Sequence, residues 1–555
     1  MRDVASNPPP HNHWKEERWS FAKAPIVNFC AHFVRALKSH PKTTVVVTVL
    51  LFIVLFAERP YYQPLMVTIR IYFLGVMFTL GVAIGLWRLL SRYSARYQAL
   101  GGAIVFTTVI VLVLWGPGWH DYLAYYLRYN EARHEIIDLA KNELYRTDHD
   151  RVLPLAAVNG LASDRMNENE SVAPPDLVRT KKGYGWTMGV EPANTWGRFT
   201  HDVTEFIYLD ATDTAPDFSR RNREDGKVNF DVGEDLIFSR NIDNCVRRSF
   251  GPLRIFNYEP GNVLRMQDDA GKWVYVVSLV RWSWGWFGFF PWPEFGGVQV
   301  IEQNGPHNIL HNWTVEWPKH LIFGCGHWIP PEEIGKHEFL RGQNIVPYEA
   351  TRFMALSNRF QAGFLGPTKV SRQGDIRIAD VVEDLNLQPY VIFAKANEAD
   401  PGKLYQWFGL QPYDATKCGL SISFLVPADG IGPSYRYNHA ALKESPIGPS
   451  CIGVRVRAKQ DNTYWANRRP AEAIPYVHDI ADSDGNVAPR LTFKTVIVTQ
   501  KDHKEGEPLQ FIPGTPPEIW IVDAYREYPV LVGSDPSKWD TKLREALGSK
   551  WAGKP

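Results

Sequence analysis

Residues 43–57 (TTVVVTVLLFIVLFA), 64–87 (PLMVTIRIYFLGVMFTLGVAIGLW) and 98–119 (QALGGAIVFTTVIVLVLWGPGW) are three apolar runs near the start of the chain. A helix that spans a bilayer needs about 20 mostly apolar residues. The third run is uncharged and long enough, and the second has one charged residue, Arg70, which we expect to snorkel to an interface. A soluble protein can bury one such run as a core helix. Three in succession instead predict a three-helix membrane anchor at residues 43–119.

The basic residues around these runs predict an orientation. Residues 1–42 contain seven Lys or Arg against three acidic residues, and the loop 88–97 contains three Arg and no acid. The positive-inside rule then places residues 1–42, a cytoplasmic tail, and the loop 88–97 in the cytoplasm. Residues 120–555 are expected outside it, in the periplasm or the extracellular space. No small-residue cleavage pattern follows the first run, which predicts an uncleaved anchor.

Composition restricts the class of protein. The chain has 555 residues, with 61 Lys plus Arg against 60 Asp plus Glu, so no bulk charge would attract nucleic acid. Aromatic residues make up 13% of the chain and include 20 Trp. Such residues favour half-buried pleated surfaces, which predicts a strand-rich body. The expected partners are a lipid bilayer and either other proteins or further copies of the chain.

The remaining chain predicts an α+β fold with two similar units. GKWVYVVSLVRW (271–282) leads to FGGVQVIEQNG (295–305), and GKLYQWFGLQPY (402–413) leads to KCGLSISFLVPADG (417–430). Each pair reads as an aromatic-rich strand followed by a returning strand, as in a hairpin. The first predicted segment, 120–184, comprises a stalk helix (His120–Arg146) followed by a linker. Strand-rich units follow at 185–345 and 346–460, and a strand-rich segment with a terminal helix at 461–555.

Four cysteines lie in the region expected outside the cytoplasm, where disulfides are allowed. They are Cys245, Cys325, Cys418 and Cys451. The pairing that stays within the proposed repeats is Cys245–Cys325 with Cys418–Cys451. Four buried thiols are an equally good interpretation.

The most unusual stretch is RWSWGWFGFFPWPEF (281–295). If the preceding strand continues, Trp282, Trp284 and Trp286 share one face, and Trp292 follows shortly after. This tryptophan row predicts a binding surface for a ligand such as a sugar ring, for membrane headgroups or for a protein partner. The competing interpretation is that these side chains fill a core beneath a loop.

A second stretch, residues 307–337, is rich in histidine. Its candidate metal ligands are His307, His311, His320, Cys325 and His327. Their spacing matches no established ligand pattern, and ordinary loop histidines are the favoured interpretation. The sequence contains no nucleophile elbow, P-loop or dinucleotide-binding glycine motif. It therefore identifies no catalytic residue or cofactor.

These observations favour a membrane-anchored structural or binding subunit of a cell-envelope or virion membrane assembly over an enzyme. Two alternatives remain open. One is a metal-dependent extracytoplasmic hydrolase that uses the histidine-rich stretch, and the other is an accessory transport subunit whose three helices line a path with partner chains.

Overall fold

The structure is a computed structural model. It describes residues 45–46, 48, 55, 58–93, 95–140, 143–147, 151, 153–163, 166–180, 183–212, 227–251, 254–285, 290–303, 324–367, 375–381, 387–397, 400, 402–414, 416–442, 445–460, 465, 468–481, 487–499, 518–533 and 535–547. The chain divides into two compact units, 1–61 and 62–555, and the four sheets belong to the second.

The helices of the described residues are short, apart from two near the N-terminus. A π-helical turn, Ile69–Phe73, lies between the first two. The helices are α1 Arg59–Thr68, α2 Leu74–Leu90, α3 Ala95–Ala132, α4 Leu155–Ser163, α5 Thr195–Thr200, α6 Ile242–Ser249, α7 Tyr348–Ser357, α8 Ile452–Lys459 and α9 Trp539–Leu547.

The strands form four sheets. Sheet 1 contains β3 Glu170–Val172, β4 Asp176–Thr180, β5 Gly183–Pro192, β6 Val203–Asp210 and β7 Lys227–Phe230, and sheet 2 contains β8 Tyr258–Gln267, β9 Trp273–Trp282, β10 Pro293–Glu302 and β11 His327–Ile329. Sheet 3 contains β1 Ile136–Asp138, β2 Arg146–Thr147, β12 Ile376–Ile378, β13 Tyr390–Lys395, β14 Lys403–Pro412, β15 Ile422–Pro427 and β16 Ser434–Asn438. Sheet 4 contains β17 Arg468–Ala481, β18 Val487–Thr499, β19 Glu518–Asp523 and β20 Tyr528–Leu531.

The predicted membrane anchor is corrected by the structure. In the part of the chain that the structure describes, no helix combines the length and the apolar character that crossing a bilayer requires. The second run is divided between α1, the π turn and α2, and Arg70 in the π turn is buried against protein carbonyls instead of snorkelling. Most of the first run lies outside the described residues. The extracytoplasmic location, which depended on three crossings, stays a prediction.

The predicted pair of similar α+β units is also corrected. Both hairpins exist, as β9–β10 and β14–β15, but they belong to sheets of different size and order. The region 185–345 contains strands of two sheets, and sheet 3 takes its two edge strands, β1 and β2, from residues before 150. Because the surroundings of the hairpins differ, their likeness in sequence reflects two aromatic-rich hairpins and no repeated fold.

The helix predicted at His120–Arg146 ends earlier. α3 stops at Ala132 and the chain enters β1, which pairs in parallel with β16. The second half of α3 packs on the body, because the Tyr125 ring stacks on Phe353 of α7 with centroids 3.9 Å apart. This part of the helix is therefore a packed element of the described body.

Sheets 1 and 2 are joined by a buried arginine. Arg265 in β8 has no exposed surface, and its guanidinium contacts the carboxylates of Asp176 in β4 and of Glu234. Glu191 in β5 accepts hydrogen bonds from the backbone N–H groups of Glu234, at 2.9 Å, and Asp235, at 2.7 Å. One positive charge from sheet 2 therefore sits among three carboxyl groups, two from sheet 1 and one from a loop. Burial raises the pKa of Asp176 and of Glu191 to about 7. The positive charge of Arg265 lowers both pKa values but does not outweigh burial.

The raised pKa of Glu191 predicts a dependence of stability on pH. The folded state keeps a proton that the unfolded state releases, so the stabilising contribution of this group is complete below about pH 4.5 and is lost as the pH rises through about 7. We expect Glu191→Gln to give a shallower fall in the free energy of unfolding over this interval, measured by urea denaturation. The control is Glu302→Gln, at an exposed carboxylate. Equal slopes for Glu191→Gln and the unchanged protein would contradict the assignment.

One of the two expected disulfides is confirmed. Cys418 and Cys451 form a bridge with their Cα atoms 5.7 Å apart, which joins the segment before β15 to the start of α8. The expected Cys245–Cys325 bridge is wrong, since both residues are buried thiols of one apolar cluster around α6. A buried thiol packs there as a small hydrophobic side chain.

Removing the bridge should lower stability. We expect the Cys418→Ser/Cys451→Ser double variant to lose roughly 2–4 kcal/mol of unfolding free energy, because the unfolded chain is no longer constrained by the closed loop. Urea denaturation with and without reductant measures this, and reductant should destabilise only the unchanged protein. Alkylation of both cysteines in denatured but unreduced protein would show that the bridge does not form.

Candidate functional site

The β9–β10 hairpin carries the stretch singled out in the sequence. β9 ends at Trp282, which pairs with Pro293 at the start of β10. The hydroxyl of Ser283 accepts hydrogen bonds from the N–H groups of Gly285, at 3.2 Å, and Trp292, at 3.1 Å. The loop 283–292 is therefore fixed at both ends by one serine. Residues 286–289 of this loop, including Trp286, lie outside the described residues.

The described tryptophans have three different environments. The indole of half-buried Trp282 donates to Glu259 at 2.8 Å, and that of buried Trp292 donates to Glu294 at 2.9 Å. Trp284, by contrast, is 66% exposed. The strand alternation ends at Trp282, because Ser283 and Trp284 lie beyond the strand and Gly285 turns the chain with φ +51°. Among the described residues of this hairpin, Trp284 is therefore the exposed tryptophan.

Arg70 holds this tryptophan in place. Its guanidinium carbon lies 4.6 Å from the centre of the Trp284 ring, and its nitrogens donate to the carbonyls of Ser283, at 2.8 Å, and Phe256, at 3.1 Å. Burial lowers the pKa of Arg70 to about 10, which keeps the group charged at neutral pH. Where the indole ring is exposed, a charged arginine over it gains about 0.5–1 kcal/mol. The ring is therefore both exposed and restrained.

Acidic groups complete the polar surroundings of the hairpin. Glu294 pairs with Arg281 across the strands at 2.7 Å and also accepts from the Trp292 indole. Burial raises the pKa of Glu259, which accepts from Trp282. Each indole N–H that points inward thus has a carboxylate acceptor, which explains why Trp282 and Trp292 can be covered.

The histidine-rich stretch is only partly described. His307, His311 and His320 lie outside the described residues, so the proposed metal site stays a prediction. Cys325 is buried beneath β10, whereas His327 is exposed on β11. These two candidates therefore do not face a common space. Within the described ranges, no group of three or more His, Cys, Asp or Glu side chains is placed to hold a metal ion.

Sequence reasoning missed Arg70 as a member of this site. It lies 214 positions before Trp284 in the sequence, and nothing in either stretch names the other as a partner. The available signal was a single charge inside an apolar run. Such a charge requires polar partners when it is buried, and here those partners are carbonyl groups of the hairpin and of residue 256.

Comparison with known proteins adds little. No protein-family model matches the chain, and no curated protein matches it. One solved structure, of an uncharacterized protein from Eubacterium rectale, aligns with 52% of this chain and 82% of its own at 10% identity. Its TM-score is 0.13, so it supports no conclusion about fold or function.

The exposure of Trp284 predicts a small effect on stability. We expect Trp284→Ala to change the free energy of unfolding by under about 1 kcal/mol, since little buried contact is lost. The matched variant is Trp292→Ala, which truncates a buried indole of the same hairpin and should cost roughly 3–5 kcal/mol. Urea denaturation measures both. A loss at Trp284 as large as that at Trp292 would mean that Trp284 belongs to the core.

Proposed function

We propose that the chain is a structural or binding subunit of a larger assembly. Its contact surface includes Phe256 and Trp284, here named the Trp284 surface, and Arg70 is buried against the Trp284 ring. The observation that carries the proposal is an exposed indole held over a buried arginine that is itself bound to backbone carbonyls. Phe256, whose carbonyl accepts from Arg70, is 43% exposed and extends the apolar surface.

The physical argument is preorganisation. Trp and Arg are enriched among the residues that contribute most to protein interfaces. A large side chain that is already restrained loses less conformational entropy when a partner covers it. Trp284 fulfils this condition, because its ring lies against the guanidinium of Arg70. Arg70 is itself fixed by hydrogen bonds to the carbonyls of Phe256 and Ser283. The expected partner is a protein, either a second copy or another subunit.

The Cys418–Cys451 bridge supports an extracytoplasmic location for this subunit, because disulfides persist mainly in oxidising compartments. The bridge joins the β14–β15 connection to the residue before α8, away from the Trp284 hairpin in the sequence. The proposal of a contact surface does not depend on this location.

A site-specific photo-crosslinker tests the Trp284 surface. The crosslinker replaces Trp284 in the full chain and is activated in the producing cells. We expect a discrete crosslinked species, identified by mass spectrometry as a second copy or one other protein.

The control places the same crosslinker at Trp196 in α5, the short helix that follows β5 of sheet 1. Trp196 is 71% exposed. The proposal requires that position 284 gives a protein adduct and that position 196 does not give the same one. Absence of a protein adduct at 284, or identical adducts at both positions, would refute the proposal.

A further inference from the structure

A cleft of about 860 Å³ opens on the body, away from the Trp284 surface, and its walls come from three sheets. Arg179 at the end of β4 lies on one side, and the β8–β9 turn with Trp273 on a second. Lys403 at the start of β14 and Asp429 after β15 form a third side, with residues 338–343 between them. Pockets that bind small molecules typically measure about 300–1,000 Å³, so the cleft has the size of a ligand site.

The floor of the cleft is held rigidly. The side chain of Gln343, which is buried, accepts from the Arg179 N–H at 2.8 Å and donates to the Arg179 carbonyl at 2.8 Å. The buried carboxylate of Asp429 accepts from the N–H groups of Gly342 and Ile431, each at 3.0 Å. It also pairs with Lys403 at 3.4 Å. These groups are already satisfied, so they fix the shape of the cleft.

Two arginines at the cleft are left for a ligand. The side chains of Arg179 and Arg341 are exposed, and within the described residues neither guanidinium has a hydrogen bond or an ion pair. Both line the same cleft, and a Cβ on Gly342, the residue after Arg341, would lie 3.2 Å from Nη1 of Arg179. The glycine, at φ +70°, therefore leaves room for the Arg179 guanidinium against the backbone at residue 342.

The remaining lining groups include the carboxylates of Asp268, Asp269 and Glu338 and two aromatic rings. Asp268 uses one carboxylate oxygen for the N–H of Lys272, at 2.8 Å, and Glu338 is exposed at the opposite side. Trp273 and Phe339 add aromatic surface. A ligand that satisfies all three kinds of group has an anionic substituent for the arginines, hydroxyl donors for the carboxylates and an apolar face for the aromatic rings.

We propose that this cleft binds an acidic carbohydrate, whose carboxylate or phosphate lies against Arg179 and Arg341. Paired guanidinium groups bind carboxylate and phosphate through charge-assisted hydrogen bonds. Sugar hydroxyls donate to Asp268 and Glu338, and the C–H face of a ring packs against Trp273. The proposal is independent of the Trp284 surface.

Calorimetric titration of the full chain tests the proposal with four probes. Trigalacturonate carries carboxylates on its sugars, and glucose 6-phosphate carries a phosphate. Methyl-esterified trigalacturonate keeps the sugar but lacks the negative charge, and inorganic phosphate keeps the charge but lacks the sugar. We expect binding of at least one acidic sugar, and weaker binding of both the ester and inorganic phosphate. Which acidic sugar binds identifies the anionic group.

Substitutions then locate the binding. Arg341→Ala and Arg179→Ala should each weaken binding at least about tenfold, the loss expected for a hydrogen bond to a charged group. Arg341→Lys, which keeps the charge, should lose less. The matched control is Arg526→Ala, at an exposed arginine outside the cleft, and it should bind as the unchanged protein does.

Thermal melting of each variant shows whether the fold is kept. Because Arg341 is exposed, its substitution leaves the core intact.

Three results would overturn the proposal. They are no binding of either acidic sugar, equal binding of an acidic sugar and of inorganic phosphate, and binding that Arg179→Ala and Arg341→Ala leave unchanged.

Discussion

The contact of Arg265 with its carboxylates is the interaction on which the arrangement of sheets 1 and 2 depends. Removing a charged group from water costs several kcal/mol, so the guanidinium is tolerable in the interior only when its partners are in place. Asp176 and Glu191 belong to strands of sheet 1, whereas Arg265 belongs to sheet 2. Neither sheet can satisfy its buried charges alone, which makes the two sheets mutually dependent. The same dependence positions β4, whose last residues form one wall of the cleft that contains Arg179 and Arg341.

Local patterns predicted several elements closely. The aromatic-rich strands expected in 271–282 and 402–413 are β9 and β14, and the terminal helix expected in 461–555 is α9. In each case glycine, proline or aspartate punctuation bounds a short run with clear periodicity. The prediction from strand alternation was wrong beyond Trp282. The tryptophan row assumed that the strand continues, but β9 ends at Trp282 and Gly285 then turns the chain with a positive φ.

Features that depend on distant residues were not accessible in the same way. An apolar run indicates a segment shielded from water, but it does not say whether lipid or protein shields it, and Arg70 was misread for that reason. The cleft presents a similar difficulty. Gln343 and Arg179 are 164 positions apart, and an exposed arginine has no pattern that distinguishes a ligand contact from a solvated side chain. Only the approach of three sheets brings these groups together.

The order of strands in sheet 3 has a consequence for synthesis of the chain. Its two edge strands, β1 and β2, come from residues 136–147, and its interior strands follow residue 389. Ile136 pairs with Ser434, which is translated 298 residues later. At about 5–20 residues per second, the ribosome needs roughly 15–60 s to supply that partner. During this interval β1 lacks its strand partner, so its backbone groups depend on early packing of α3 or on a chaperone for shielding until β16 emerges.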